Sequence, residues 1–421
     1  MSKRNTVIYI GDFDLRNENV QSFLVKNNAK ILRALGFDVA FIGINSHVST
    51  FGELSSLEKL RMEEGYSYLE LPNTLNLVGL LKVFNVYKTI VNYLDKVSSV
   101  STIQYLISYQ CPSYSILLKW IIKWCKQNSV KYIVNCADLP VFDNQPILRK
   151  QIMAINWSYL HSINKKNADG VIAVSKYISE FYRNGRCKSV IIPPLFDLSL
   201  SFDIKDRETI PVFVYAGIPF KANGRLVCEN GMKDRLDLII DLFLNLAKEG
   251  IPFAFRILGI SKKDYLIGVP RQAEALKECE SIEFLGHLEH EESLQIVSMA
   301  DFSINYRDEN RMTKAGFSTK IVESISVGTP VIINSISDTF DYVIDGKTGF
   351  MLTADDAYNM TLIKGLCYLP IEERKKIKRD VLESKVFDFH SYVTIMKAFL
   401  ADVNQFPIFG KESELKENDF S

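Results

Sequence analysis

Two spacings of apolar residues alternate along this chain, short unbroken runs and longer stretches of helical period, and their order predicts an architecture. A buried strand over residues 7–10, a helix over 19–35 closed by Gly36, and a second strand over 38–44 make one strand–helix–strand unit. Further strands are predicted at 66–71, 102–108, 132–136, 170–174 and 190–193, with helical stretches between most of them, one over 147–167. The polar stretch 199–210, SLSFDIKDRETI, reads as an interdomain linker. A second series follows it, with strands at 212–216, 254–258, 282–285, 302–306 and 331–334 and helices at 233–248, 291–300 and 318–327. Alternation of this kind predicts an α/β protein with parallel sheets covered by helices on both faces and ligands at the carboxyl ends of the strands.

Length and charge narrow the class. A chain of 421 residues is long for one compact core, so two domains are expected, 1–200 and 201–388. Lys plus Arg and Asp plus Glu are equal at 50 each, which argues against a nucleic-acid partner. The 7 cysteines are scattered, odd in number and without a Cys-x-x-Cys pair, so neither a disulfide framework nor a zinc site is suggested, and a reducing cytoplasm fits. The apolar run at the amino terminus is too short for a signal peptide, and no stretch of 18 uninterrupted apolar residues predicts a transmembrane helix.

The most informative stretch is 311–334, RMTKAGFSTKIVESISVGTPVIIN. It reads as a glycine-containing loop (Lys314, Ala315, Gly316, Phe317), a helix that Ser318 or Thr319 can cap, and a strand. Gly328 suits a left-handed residue past the helix end, and Pro330 stops it continuing. The start of such a helix offers unpaired N–H groups and partial positive charge, yet Lys314 and Lys320 flank it, a poor place for cations unless an anion sits there too. A phosphate resolves the conflict. Glu323 falls one turn further in, and no capping box explains it, because Ser318 and Thr319 are followed at that spacing by Ile321 and Val322.

Residues 314–328 with the following Thr-Pro-Val-Ile, and then 345–352, DGKTGFML, resemble the donor-site signature of retaining GT-B glycosyltransferases of the family 4 type. The resemblance implies two Rossmann-like domains facing each other across a cleft, a final helix near 389–405 crossing back to the first domain, and a polar tail over 406–421. It places the Glu that holds the donor ribose on Glu323, with Gly316, Phe317, Ser318 and Thr319 around the nucleotide and Lys320 beside the diphosphate. The first Glu of the family's Glu-x7-Glu pattern falls on Ala315, so one contact near the donor sugar is missing. The stretch 215–219, YAGIP, places a donor-contacting glycine on Gly217, and the Lys-Asp after an apparent insertion places a diphosphate-binding lysine on Lys233. Residues 315–323 resemble a sub-branch that reads small residue-Gly-Phe-x-Thr-Lys-x-x-Glu; relatives outside it carry Arg where Ile218 stands, and here Lys221, Arg225 or Arg235 can supply a second cation.

Other candidates lie at strand ends. Gly259 suits close backbone approach to a base, His287 follows a strand at the nucleotide end, and Gly11 and Asp12 end the first strand on the acceptor side. Asp138 ends the strand over 132–136 and can orient or deprotonate an acceptor hydroxyl, or serve only as a turn former. His161 reads as a packed or surface histidine. Developing charge on a leaving diphosphate needs fixed cations, helix N–H groups or a metal, and no Asp-x-Asp loop for a metal is evident, so none is expected. The stretches 77–94 and 117–125 mix apolar, aromatic and lysine residues and either pack on the sheet or lie on a membrane surface.

The expectation is a cytoplasmic transferase, at the inner face of the membrane if those stretches bind lipid. It would move a sugar from a nucleoside diphosphate donor, UDP-linked, to a carbohydrate or lipid-linked acceptor in bacterial surface polysaccharide synthesis, with no cofactor. A nucleotide-sugar epimerase of similar fold and a non-catalytic nucleotide-binding protein are the alternatives, the second because of Ala315.

Overall fold

The structure is a computed structural model that describes residues 4–15, 20–45, 61–63, 66–72, 77–110, 115–140, 146–183, 187–196, 209–220, 232 and 234–405. It divides into two units, residues 1–195 with 389–421, and residues 196–388.

Unit 1 begins β1 (Asn5–Gly11), α1 (Val20–Ala34), β2 (Asp38–Asn45), β3 (Arg61–Glu63) and β4 (Tyr66–Pro72). It continues α2 (Leu77–Val100), β5 (Thr102–Tyr109), α3 (Ser115–Gln127), β6 (Lys131–Cys136), α4 (Ile147–Asn167), β7 (Gly170–Ala173), α5 (Lys176–Tyr182) and β8 (Lys188–Ile191). The eight strands run in the order β3-β4-β2-β1-β5-β6-β7-β8, all neighbours parallel except the β3–β4 pair. The chain builds outward from β1 through β2, then returns to β5 on the other side, so the order reverses between β1 and β5. Crevices at such reversals are where open α/β sheets bind ligands.

Unit 2 contains β9 (Val212–Ala216), α6 (Leu236–Lys248), β10 (Ala254–Leu258), α7 (Lys262–Gly268), α8 (Ala273–Glu278), β11 (Ile282–Gly286), α9 (His290–Met299) and β12 (Phe302–Asn305). Then come α10 (Arg311–Ala315), α11 (Thr319–Ser326), β13 (Val331–Asn334), α12 (Thr339–Tyr342), β14 (Gly349–Leu352), α13 (Asp356–Cys367) and α14 (Ile371–Ser384). Its six parallel strands are ordered β11-β10-β9-β12-β13-β14, with the reversal between β9 and β12. Separate apolar layers cover the sheet's two faces, one holding Phe213, Phe243 and Phe255, the other Val214, Ile321 and Ile325. The last helix, α15 (Val393–Gln405), belongs to unit 1, where Phe399 and Val403 pack against Gly170 so closely that any side chain there would collide with them.

Differences from the sequence expectation have local causes. The strand expected at 190–193 runs instead over Lys188–Ile191, because Pro193 and Pro194 cannot donate to a ladder. The helix expected from 233 starts at Leu236, since the Arg235 N–H donates to Tyr306 O and Asp234 is engaged elsewhere. Lys314 and Ala315 are not in a loop but in α10, capped by reciprocal bonds between Asn310 and Thr313. The unit boundary falls at 195/196; most of the proposed linker and the tail over 406–421 lie outside the described residues.

The candidate functional site

In unit 2 the carboxyl ends of β9, β10 and β11 are drawn together by backbone bonds. The Gly217 N–H donates to Leu258 O at 3.0 Å and the Gly259 N–H donates to Gly286 O at 2.6 Å. Gly259 takes φ +95°, and a Cβ there would meet the Gly217 carbonyl at 2.5 Å, so this turn requires glycine twice over. Gly217 lies against the Lys320 side chain so closely that any Cβ would strike Lys320 Cε. His287, just past β11, is exposed.

Asp234 occupies the reversal between β9 and β12 and is fully buried. Its Oδ2 accepts from Tyr215 OH at 2.8 Å and from Lys320 Nζ at 2.8 Å, and its Oδ1 accepts from Arg307 Nε at 2.6 Å. Burial alone would raise the Asp234 carboxyl, but the charges of Lys320 and Arg307 and the hydrogen bonds from Lys320 and Tyr215 outweigh it and hold the group well below the usual carboxylate range. Two cations thus share one carboxylate, with Lys320 and Arg307 each retaining some solvent exposure. Two positive charges against one negative thus lie past the ends of β9 and β12, where the strand order reverses and sheets of this class bind ligands.

The buried stripe Ile321, Val322 and Ile325 fixes α11 on the sheet beside α9 and α14, and Gly328 ends it at φ +80°. No side chain caps its amino end: Ser318 stands at the cap position, but its buried hydroxyl makes no hydrogen bond among the described residues. A small recess under this turn is lined by Asn305, Arg307, Thr313, Gly316, Ser318 and Asn334. Thr319, Lys320 and Glu323 stay partly exposed, and Glu323 Oε1 lies 3.4 Å from His290 Nε2.

Several expected residues have other duties. Phe317 is part of an aromatic cluster with Tyr342 and Phe387, its ring centroid 5.2 Å from the first. Lys314 sits in the last turn of α10, the favourable end for a cation, and pairs with Glu309. Arg235 is gripped by Asp237 and by Asp308. Lys233, Lys221 and Arg225 lie outside the described residues. The second cation on Asp234 is Arg307, which the sequence reading did not single out; its signal was a position just past a predicted strand. The DGKTGFML stretch forms a turn in which the Thr348 hydroxyl accepts from the Ile344 N–H at 2.8 Å and the Asp345 carboxylate accepts from the Met351 N–H at 3.1 Å.

In unit 1 the acceptor-side candidates converge at the reversal between β1 and β5. Gly11 presses on the Tyr109 carbonyl, the Asp12 N–H donates to it at 3.4 Å, and Gln110 Nε2 donates to Asp138 O at 3.1 Å. Burial, then the neighbouring Tyr9, Cys136, Asp138 and Asp12, push the Tyr109 phenol far up, which places both carboxylates in its surroundings. His161 bonds Tyr182 OH at 2.6 Å inside an aromatic group, a packing role. Among the described residues no group of three or more His, Cys, Asp or Glu is placed to hold a metal, and no helix is long and apolar enough to cross a membrane.

Known proteins bear on these sites. Residues 222–367 match the family described as glycosyl transferases group 1. No curated protein matches the chain. Among solved structures, sucrose-phosphate synthase from Thermosynechococcus elongatus is similar at 15% identity and TM-score 0.65, covering 96% of this chain and 100% of its own. HepE of Anabaena in complex with UDP and glucose is similar at 14% identity and TM-score 0.59, covering 94% and 99%. The lipopolysaccharide outer core galactosyltransferase WaaB gives 13%, 0.56, 93% and 99%. At these identities the likeness establishes the fold, which is GT-B. With the group 1 domain it supports a glycosyltransferase.

Proposed function

We propose that this chain transfers a sugar from a nucleoside diphosphate sugar to an acceptor hydroxyl, with the donor diphosphate seated on unit 2. The observation that carries this is the pair of cations, Lys320 and Arg307, shared by buried Asp234 at the sheet reversal beside the uncapped start of α11. Breaking the glycosyl–phosphate bond leaves negative charge on the diphosphate. Fixed cations and helix N–H groups that need no rearrangement stabilise that charge best. Glu323, one turn into the helix, has the reach and the two acceptor oxygens to hold a ribose diol, with His290 fixing one of them. Lys233, next to Asp234 in sequence, adds a third cation to the proposal.

UDP is the nucleotide proposed, because structures of the similar HepE contain UDP and UDP-glucose. Retention at the anomeric carbon, a lipid-linked or carbohydrate acceptor, action without a metal, and a place in bacterial surface polysaccharide synthesis complete the reading. Asp12 and Asp138 are the residues proposed to meet the acceptor hydroxyl. Calorimetry with UDP, followed by release of sugar from a panel of UDP-sugars, tests the proposal; binding without hydrolysis or transfer in any combination would leave a nucleotide-binding protein instead.

A further inference from the structure

In the two helices whose sequence first suggested a membrane surface, most apolar side chains that the structure describes face the core. In α3 the residues Leu117, Leu118, Ile121, Ile122 and Trp124 are buried, and in α2 so are Val86, Ile90 and Leu94. The longest exposed apolar stripe among the described residues lies on α4. Leu148, Ile152, Ile155 and Tyr159 follow the spacing of one helix face and are 71%, 59%, 70% and 40% exposed, with Ile147 beside them. Only Leu160, Ile163 and Asn164 of this helix are buried.

Geometry explains the exposure. Ser115 Oγ bonds Asn156, and Lys126 Nζ donates to Asn167 Oδ1 at 2.9 Å, so α3 and α4 run parallel, and α4 begins two and a half turns before its neighbour. Its first part overhangs α3 by roughly 13 Å at 1.5 Å per residue. Because α4 follows β6, that overhang projects from the carboxyl edge of the sheet, the edge that carries Asp12 and Asp138.

Charge says what covers it. The chain is neutral as a whole, yet α3 and α4 contain no acidic residue, while Lys119, Lys123, Arg149 and Lys150 are exposed around the apolar stripe and around Ile116 and Trp120. A second copy docked face to face would oppose these like charges. An anionic bilayer pairs with them and takes the isoleucines and the aromatic rings into its headgroup layer. We infer that the α3–α4 face of unit 1 docks on an anionic phospholipid surface, with the amino-terminal part of α4 inserted at the interface. This stands apart from the proposed transfer reaction: it concerns unit 1 and is measured without any sugar.

The test is co-sedimentation of the full chain with phosphatidylglycerol-containing vesicles and with pure phosphatidylcholine vesicles. Binding should require the anionic lipid and weaken as salt rises. Ile152→Asp with Ile155→Asp, and separately Lys119→Glu with Lys123→Glu, should each weaken it by at least about tenfold with the melting temperature unchanged; Ile152→Ser with Ile155→Ser replaces the first pair if it fails to fold. Equal binding to both vesicle types, wild-type binding by the variants, or a dimer in light scattering that the isoleucine variants dissolve would overturn the inference.

Discussion

Lys320 Nζ lies 2.8 Å from Asp234 Oδ2 while Arg307 Nε lies 2.6 Å from the other carboxylate oxygen. One buried acid therefore positions two cations from separate elements. Asp234→Asn removes the charge that compensates them, and the expected cost approaches the roughly 3–5 kcal/mol of a broken buried pair, reduced by what solvent reaches of Lys320 and Arg307. Urea unfolding of both proteins at pH 7 measures it.

The same residue predicts an acid limb. Asp234 has a depressed folded pKa, so its contribution is complete above the unfolded carboxylate value near about 4 and is lost as pH falls from there toward the folded value. Melting temperature against pH should fall more gently below about pH 5 in Asp234→Asn than in the wild type. Parallel curves would show that Asp234 is not held ionised by its partners.

Gly217→Ala should act through Lys320. The new Cβ would strike Lys320 Cε, driving that side chain from Asp234, and φ +159° is a backbone region that L side chains rarely adopt. Donor affinity should drop by about tenfold, the loss of one displaced charge–anion contact, and backbone strain should lower stability by about 1–3 kcal/mol as well. Titration calorimetry and thermal melting read the two effects separately.

Lys378 predicts a loss of stability alone. Fully buried in α14, it donates to Ser298 O, Ala300 O and Thr329 Oγ1 at the amino edge of the sheet, away from the candidate site. Lys378→Met should cost about 3 kcal/mol or more, lowering the melting temperature by roughly 6 °C or more, with nucleotide affinity unchanged in the folded fraction.

What the sequence revealed and what it hid follow from the range of the interactions. The strand over Val212–Ala216 and the helix ending at Gly328 rest on local apolar runs and on one glycine, and both were legible. The edge strands β3 and β14 were not, being three and four residues long. Nor was the Asp234 cluster, since its members come from four separate parts of the chain and no local pattern links Arg307 to Asp234. Periodicity marked α3 as amphipathic without saying which face the sheet covers. It could not show that α4 outreaches its neighbour, which depends on how the two helices align.

If Lys320 and Arg307 supply the charge that a leaving diphosphate needs, turnover should survive chelation, and EDTA should leave the rate within about twofold. Complete loss, restored by Mg²⁺ or Mn²⁺, would assign leaving-group stabilisation to a metal.

Whether the cations on Asp234 bind the donor diphosphate is decided by calorimetric titration of UDP into the wild type, Lys320→Ala and Arg307→Ala. The wild type should bind and each variant should lose about 1.5–3 kcal/mol, as for a charge-assisted hydrogen bond, with both variants retaining a cooperative melt. Wild-type affinity in both variants, or no binding of any nucleoside diphosphate to the wild type, would contradict binding of the diphosphate by these cations.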